Sequence, residues 1–216
     1  MEEQNIRSGT ITSLEAQARH ADRVNLAIDG EFALGLSGVI VLEEGLYVGQ
    51  HLTEADLLRL RSLEEVAKAT ESALRLVTYR ARTEVELRRR LTRNGFSPEA
   101  IDTTIERMHN WRYLDDEDFA RRFVESREGH RPRSSSMIKR ELVGKGVDAE
   151  TAGQVVAEAE IDDEAIARQL AEKWLTQHMR DDAEARRRKL IGFLQRRGFS
   201  WDVIRAVLDD AESGVE

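Results

Sequence analysis

Two hydrophobic rhythms divide the chain. Over the first forty residues apolar positions alternate with polar ones in ITSLEAQA (11–18), DRVNLAID (22–29) and EFALGLS (31–37), most clearly at Val24, Leu26 and Ile28. A period of two is that of a half-buried strand. Asp29-Gly30 separates the last two runs, and such a pair marks a two-residue hairpin because both turn positions want positive φ. A small antiparallel sheet is expected. VIVLEEG (39–45) fits a short helix or a strand equally.

From Thr53 the spacing becomes helical. Thr53-Glu54-Ala55-Asp56 has the form of a capping box with Asp in place of Glu or Gln, and Leu57, Leu58, Leu60 and Leu63 follow at helical intervals. No convincing strand is read in the rest.

The helical part repeats. LRRRLTRNGFSPEAIDTTI (87–105), IKRELVGKGVDAETAGQVV (138–156) and LIGFLQRRGFSWDVIRAVL (190–208) share an aliphatic residue (Leu87, Ile138, Leu190), a leucine four positions on (Leu91, Leu142, Leu194) and a glycine four further (Gly95, Gly146, Gly198). An apolar residue (Phe96, Val147, Phe199), a capping residue (Ser97, Asp148, Ser200) and a distal aliphatic (Ile105, Val156, Leu208) complete each copy. The glycines stand 51 and 52 residues apart, a period expected of a repeat architecture.

Each copy makes physical sense. Leucines at i and i+4 share one helical face. Glycine ends that helix because it enters the left-handed region cheaply, and Ser or Asp caps the next. Pro98 stands at a first helical position, where it is tolerated. Apolar stretches precede each pair: SALRLVTY (72–79), FARRFV (119–124) and AIARQLAEKWL (165–175). Each unit is thus three short helices, expected to share hydrophobic surface with its neighbour. The boundaries are 1–52 for a β-rich extension, 53–112 for a linking helix and first repeat, 113–160 for the second, and 161–216 for the third.

Composition adds exclusions. Cysteine is absent, which removes disulfides and thiolate metal sites, and only two of 216 residues are proline. No secretory signal is read in MEEQNIRSGT and no apolar run reaches a membrane span, so a cytoplasmic protein is expected. The histidines His20, His51, His109, His130 and His178 lack metal-ligand spacing, and neither a nucleophile elbow nor a phosphate-cradling loop occurs. No enzyme, metal or cofactor is expected.

Net charge is −8, but it is unevenly spread. Residues 1–71 hold 6 basic and 13 acidic side chains; the remainder hold 27 and 28, with the basic ones clustered. Local fields steer a charged partner. Arg88, Arg89 and Arg90 occupy the turn between Leu87 and Leu91, with Arg75, Arg80, Arg82 and Arg93 close by. The middle copy offers Arg122, Arg127, Arg131, Arg133, Lys139, Arg140 and Lys145, several of them in REGHRPRSSS (127–136), read as a mobile polar loop. The third copy offers Arg186, Arg187, Arg188, Lys189, Arg196 and Arg197. Clustered arginines suit phosphates or an acidic protein face, and a solvated helix face is the competing reading.

The acids Asp115-Asp116-Glu117-Asp118 and Asp162-Asp163-Glu164 recur at helix starts, and are read as caps with Asp115 as N-cap. Trp174 and Trp201 lie in apolar-periodic helices and Trp111 precedes a junction, so all three are assigned to packing rather than base stacking.

TYRARTEVELRRRL (78–91), YLDDEDFARRFV (113–124) and IKRELVGKGV (138–147), in this order, resemble the RecX family of bacterial RecA regulators. The likeness spans about residues 70–210, and the N-terminal sheet resembles the extension of longer members. Ala81 stands where many members have proline, and Ser134-Ser135-Ser136 where a glycine often precedes the middle helix. The resemblance implies tandem three-helix repeats in an elongated, curved body. It also implies a non-enzymatic monomer that lies in the groove of the RecA filament on single-stranded DNA and inhibits ATP hydrolysis and strand exchange. Weak binding to duplex DNA is part of the same expectation, and the basic residues named above are the expected contacts. The alternative is a helix-turn-helix DNA-binding protein. Against it, the presumed recognition helices SPEAIDTTIERM, DAETAGQVVAEA and SWDVIRAVLDD are neutral to acidic.

Overall fold

The computed structural model describes residues 7–18, 20–130, 132–178 and 182–213. Its strands, among those residues, all lie before residue 53: β1 (Gly9–Gln17), β2 (His20–Ile28), β3 (Glu31–Ser37) and the two-residue β4 (His51–Leu52). They form one antiparallel sheet in the order β3-β2-β1-β4. The β2–β3 turn has φ of 49° at Asp29 and 86° at Gly30, the positive values that the Asp-Gly pair predicts. The ambiguous apolar run becomes a short helix, α1 (Gly38–Glu43), whose N-terminus is capped by Ser37. Leu26, Leu34, Leu36 and Ile40 bury one side of the sheet against Leu57 and Leu60 of α2 (Glu54–Tyr79).

A buried carboxylate reinforces that contact. Glu64 of α2 accepts from Arg23 at 2.6 Å and from the Ser37 N–H at 2.7 Å, with Lys68 at 3.4 Å. The charge is therefore both paired and hydrogen-bonded, the condition under which burial is tolerated. At the start of α2, Thr53 and Asp56 make the reciprocal capping box, so aspartate serves where glutamate is usual.

Here the structure departs from the sequence reading. The linking helix and the first helix of repeat one are a single 26-residue element. At about 1.5 Å per residue it is roughly 39 Å long. No glycine or proline interrupts residues 54–79, so nothing in the chain breaks it.

Repeat one continues with α3 (Glu84–Arg93) and α4 (Pro98–Asn110). The second repeat is α5 (Asp116–His130), α6 (Ser135–Lys145) and α7 (Ala149–Glu158); the third is α8 (Asp163–Gln177), α9 (Ala183–Gln195) and α10 (Trp201–Ser213). All six frame residues Leu87, Ile138, Leu190, Leu91, Leu142 and Leu194 are buried. The three glycines have φ between 88° and 102°. Ser97, Asp148 and Ser200 each accept a backbone N–H of the helix that follows. α5 runs to His130, so the start of the expected 127–136 loop is helical; Arg131 lies outside the described residues.

By contact density the chain divides into two units, residues 1–80 with 87–113, and 81–86 with 114–216. Within the second, repeats two and three keep separate apolar cores, around Phe119, Ile138 and Leu142 and around Leu190, Leu194 and Ile204. The expected shared hydrophobic surface is thus replaced between them by a polar junction. Each three-helix core satisfies its own leucines, which leaves backbone groups and small side chains to make the join.

That junction has a rule. Asp115 caps α5 through the Asp118 N–H, while Asp116 accepts the N–H of Glu84, the first residue of α3. One repeat later, Asp162 caps α8 and Asp163 accepts from Ser135, the first residue of α6. Of each Asp-Asp pair, the first caps its own helix and the second caps the middle helix of the preceding repeat. The N-terminus so held also docks on the next glycine turn. The Thr83 hydroxyl donates to the Lys145 carbonyl at 2.6 Å, and the Ser136 hydroxyl to the Gly198 carbonyl at 3.1 Å. A side chain at Gly146 would overlap Val85, and one at Gly198 would meet Met137 and Ser134, whereas Gly95 faces open space. Ser134, one of the serines standing where relatives often have glycine, is the buried N-cap of α6.

Candidate partner and nucleic-acid interface

A basic side chain is available to a partner only when its own acids leave it so, and the candidates separate on that ground. Arg75 is held by Glu71 and Arg122 by Asp118, both at helical i,i+4 spacing on exposed faces. Arg121 likewise pairs with Glu117 and Glu158. Such exposed pairs are weak and exchange easily.

On α3, Arg88 turns to Asp102 of α4. Arg89, Arg90 and Arg93 are exposed and make no ion pair among the described residues. The buried Leu87 and Leu91 hold this helix face in place, so the leucine frame orients the arginines. Arg80 is exposed at the end of α2 and Arg82 is half-buried just before α3.

In the second repeat Arg127 and Arg133 share one carboxylate, Glu141, at 2.8 and 3.0 Å. The Arg133 contact is an ion pair without hydrogen-bond alignment at Nε. Arg127 also covers the Phe123 ring, 4.5 Å from its centre. Lys145 binds Glu86 at 3.2 Å and sits near the Phe119 and Phe123 rings, a role in holding the junction. Lys139 and Arg140 are exposed on α6.

In the third repeat Arg187 and Arg188 are exposed on α9, Arg188 lying 3.7 Å from Glu184. Arg197 lies over the Phe193 ring at 3.7 Å and donates to the Phe193 carbonyl at 3.3 Å. Burial, with the neighbouring Arg133 and Arg196 guanidiniums adding to it, pushes Arg197 below the usual arginine range. Arg133 is therefore brought beside Arg196 and Arg197, which lie 63 and 64 residues further along the sequence.

They line a cleft of about 590 Å³ between the loop before α6 and helices α8 and α9, along with Lys173 and Trp174. Sequence reasoning missed Lys173 and assigned Trp174 wholly to packing. Trp174 does pack on His178, with ring centres 3.9 Å apart and nearly parallel, yet it also reaches the cleft wall. The packing assignment fails for the other two tryptophans. Trp111 is 50% exposed and Trp201 49%, the one at the C-terminal end of α4 and the other at the start of α10. No group of three or more His, Cys, Asp or Glu suited to a metal occurs among the described residues.

Three helix-turn-helix repeats, each closed by a left-handed glycine and joined through paired aspartates, behind an N-terminal antiparallel sheet define a tandem three-helix repeat protein. Family models for the first, second and third three-helix domains of RecX match residues 69–108, 115–156 and 162–208, and the regulatory protein RecX N-terminal domain matches 9–53. The chain belongs to the RecX family, whose members are regulatory proteins rather than enzymes.

Regulatory protein RecX of Bacillus subtilis is 28% identical over 203 residues, covering 94% of this chain and 77% of the relative. That of Clostridium botulinum strain Eklund 17B is also 28% identical, covering 93% and 95%. A crystal structure of regulatory protein RecX superposes with a TM-score of 0.74 at 22% identity, over 93% of this chain and 98% of the other. At that identity the superposition establishes the shared fold.

Proposed function

We propose that this chain regulates homologous recombination by binding the RecA filament on single-stranded DNA and inhibiting its ATP hydrolysis and strand exchange. Arginines from several repeats contact the filament from a monomeric, cytoplasmic protein. The observation that carries the reading is the α3 face, where Arg89, Arg90 and Arg93 are exposed without ion pairs among the described residues on a helix anchored by Leu87 and Leu91. Guanidiniums so presented suit phosphate and carboxylate groups alike, the two anions a protein-coated DNA strand displays. Arg80, Arg82, Arg88, Lys139, Arg140, Arg187 and Arg188 are the further basic contacts, contributed by all three repeats.

The test replaces Arg89, Arg90 and Arg93 with alanine together. Inhibition of RecA ATP hydrolysis on single-stranded DNA should weaken by at least tenfold with helicity and melting unchanged. Full inhibition by the triple variant would refute the assignment of this face.

A further inference from the structure

The cleft of the second unit has a composition that the repeat architecture does not require. Four cations reach it: Arg133 from the loop before α6, Lys173 from α8, and Arg196 and Arg197 from the end of α9. No Asp or Glu is among the described residues lining it. The nearest acid in the ion-pair network, Glu141, is already divided between Arg127 and Arg133. Lys173 and Arg196 are exposed and hold no carboxylate among the described residues. Burial chiefly, and repulsion from the neighbouring Arg133 and Arg196 guanidiniums in addition, lower the proton affinity of Arg197. A bound anion would relieve that repulsion.

Size and wall chemistry choose the anion. The volume of about 590 Å³ falls inside the roughly 300–1,000 Å³ range of clefts that take whole small molecules, and it exceeds what one carboxylate fills. The cleft wall also holds two aromatic rings, Trp174 and Phe193, the second covered on one face by the Arg197 guanidinium. Cations beside aromatic rings are the pairing that single-stranded nucleic acids use, with phosphate on the basic groups and base against the ring.

We infer that this cleft takes one nucleotide unit of a single-stranded nucleic acid, with its phosphate held by Arg133, Lys173, Arg196 and Arg197 and its base lying against the Trp174–Phe193 wall. The inference rests on the proposed meeting with DNA-bound filament and assigns a part of the strand to a particular place. A strand seated there would tie the third repeat to DNA independently of any contact with the recombinase.

The test uses the full chain and a dye-labelled twelve-residue oligothymidylate without recombinase. Wild-type protein should bind it, and K173Q/R196Q, which alters two exposed side chains, should bind at least tenfold more weakly with an unchanged melting temperature. The slope of log K against log salt should also shrink by about 0.7, since the cleft holds one phosphate and each phosphate contact on single strands contributes about 0.7. Quenching of tryptophan fluorescence by the oligomer should be lost in W174F. No binding by wild-type protein, an unchanged affinity and slope in K173Q/R196Q, or quenching that persists in W174F would each overturn the site. Competition by oligoglutamate of equal charge as strong as by the oligomer would overturn it in favour of an acidic protein segment. Recombinase inhibition, measured in parallel, separates the two proposals. Inhibition with an indifferent cleft defeats the nucleotide site alone, and a nucleotide-binding cleft without inhibition defeats the regulatory reading alone.

Discussion

Asp163 accepts hydrogen bonds from both the backbone N–H and the hydroxyl of Ser135, each at 2.8 Å, across 28 residues of sequence. One carboxylate thereby closes the N-terminus of a helix in the preceding repeat. Asp163→Ala should cost about 2–3 kcal/mol in urea unfolding, because charge-assisted hydrogen bonds are lost and helix donors are left bare. Ser135→Ala keeps the backbone bond and should cost about 1 kcal/mol. Equal losses would place the energy in the hydroxyl alone.

The three frame glycines should not be equivalent. Gly95→Ala meets open space and carries only the left-handed backbone penalty, about 1–2 kcal/mol. Gly198→Ala adds overlap with Met137 and Ser134 and should cost about 3–4 kcal/mol. The comparison of unfolding midpoints checks this, and identical losses would mean that the junction yields without cost.

Much of this was legible in the chain, for a local reason. The leucine pair, glycine and cap of each repeat lie within about a dozen residues, and helix periodicity and turn chemistry act over that range. The Asp29-Gly30 hairpin and the Thr53–Asp56 box are local in the same sense. What escaped depends on partners 28 to 64 residues away: the second aspartate of each pair, the serine and threonine contacts to the glycine turns, and the gathering of Arg133 with Arg196 and Arg197. The tryptophans escaped for another reason. Periodicity tells which face a residue shares, but not whether a neighbouring helix covers it at the helix end, as Trp111 and Trp201 illustrate.

Glu64→Ala should be among the most damaging single changes in the first unit. It leaves the half-buried Arg23 without its carboxylate and orphans the Ser37 N–H. A loss of about 3 kcal/mol is expected, by denaturant unfolding, since removing one partner of a buried pair strands the other.

Acid should weaken the second repeat through its cap. The Thr151 hydroxyl first, then the backbone N–H groups of Thr151 and Glu150, hold the Asp148 carboxyl below its ordinary value. A carboxyl so lowered stabilises the fold fully above its unfolded pKa and loses that contribution as pH falls through the folded one. Asp148→Asn should therefore melt below wild type at pH 6, and the gap should narrow as pH drops under about 4, the unfolded aspartate value. A gap that widens in acid would contradict the capping role.

The regulatory reading is tested most directly by titrating the protein against bare single strands, bare duplex and recombinase-coated single strands over a range of salt while following recombinase ATP hydrolysis. The prediction is tightest binding to the coated strand, with hydrolysis falling as the complex forms. Tight, sequence-specific binding to bare duplex with hydrolysis untouched would contradict it.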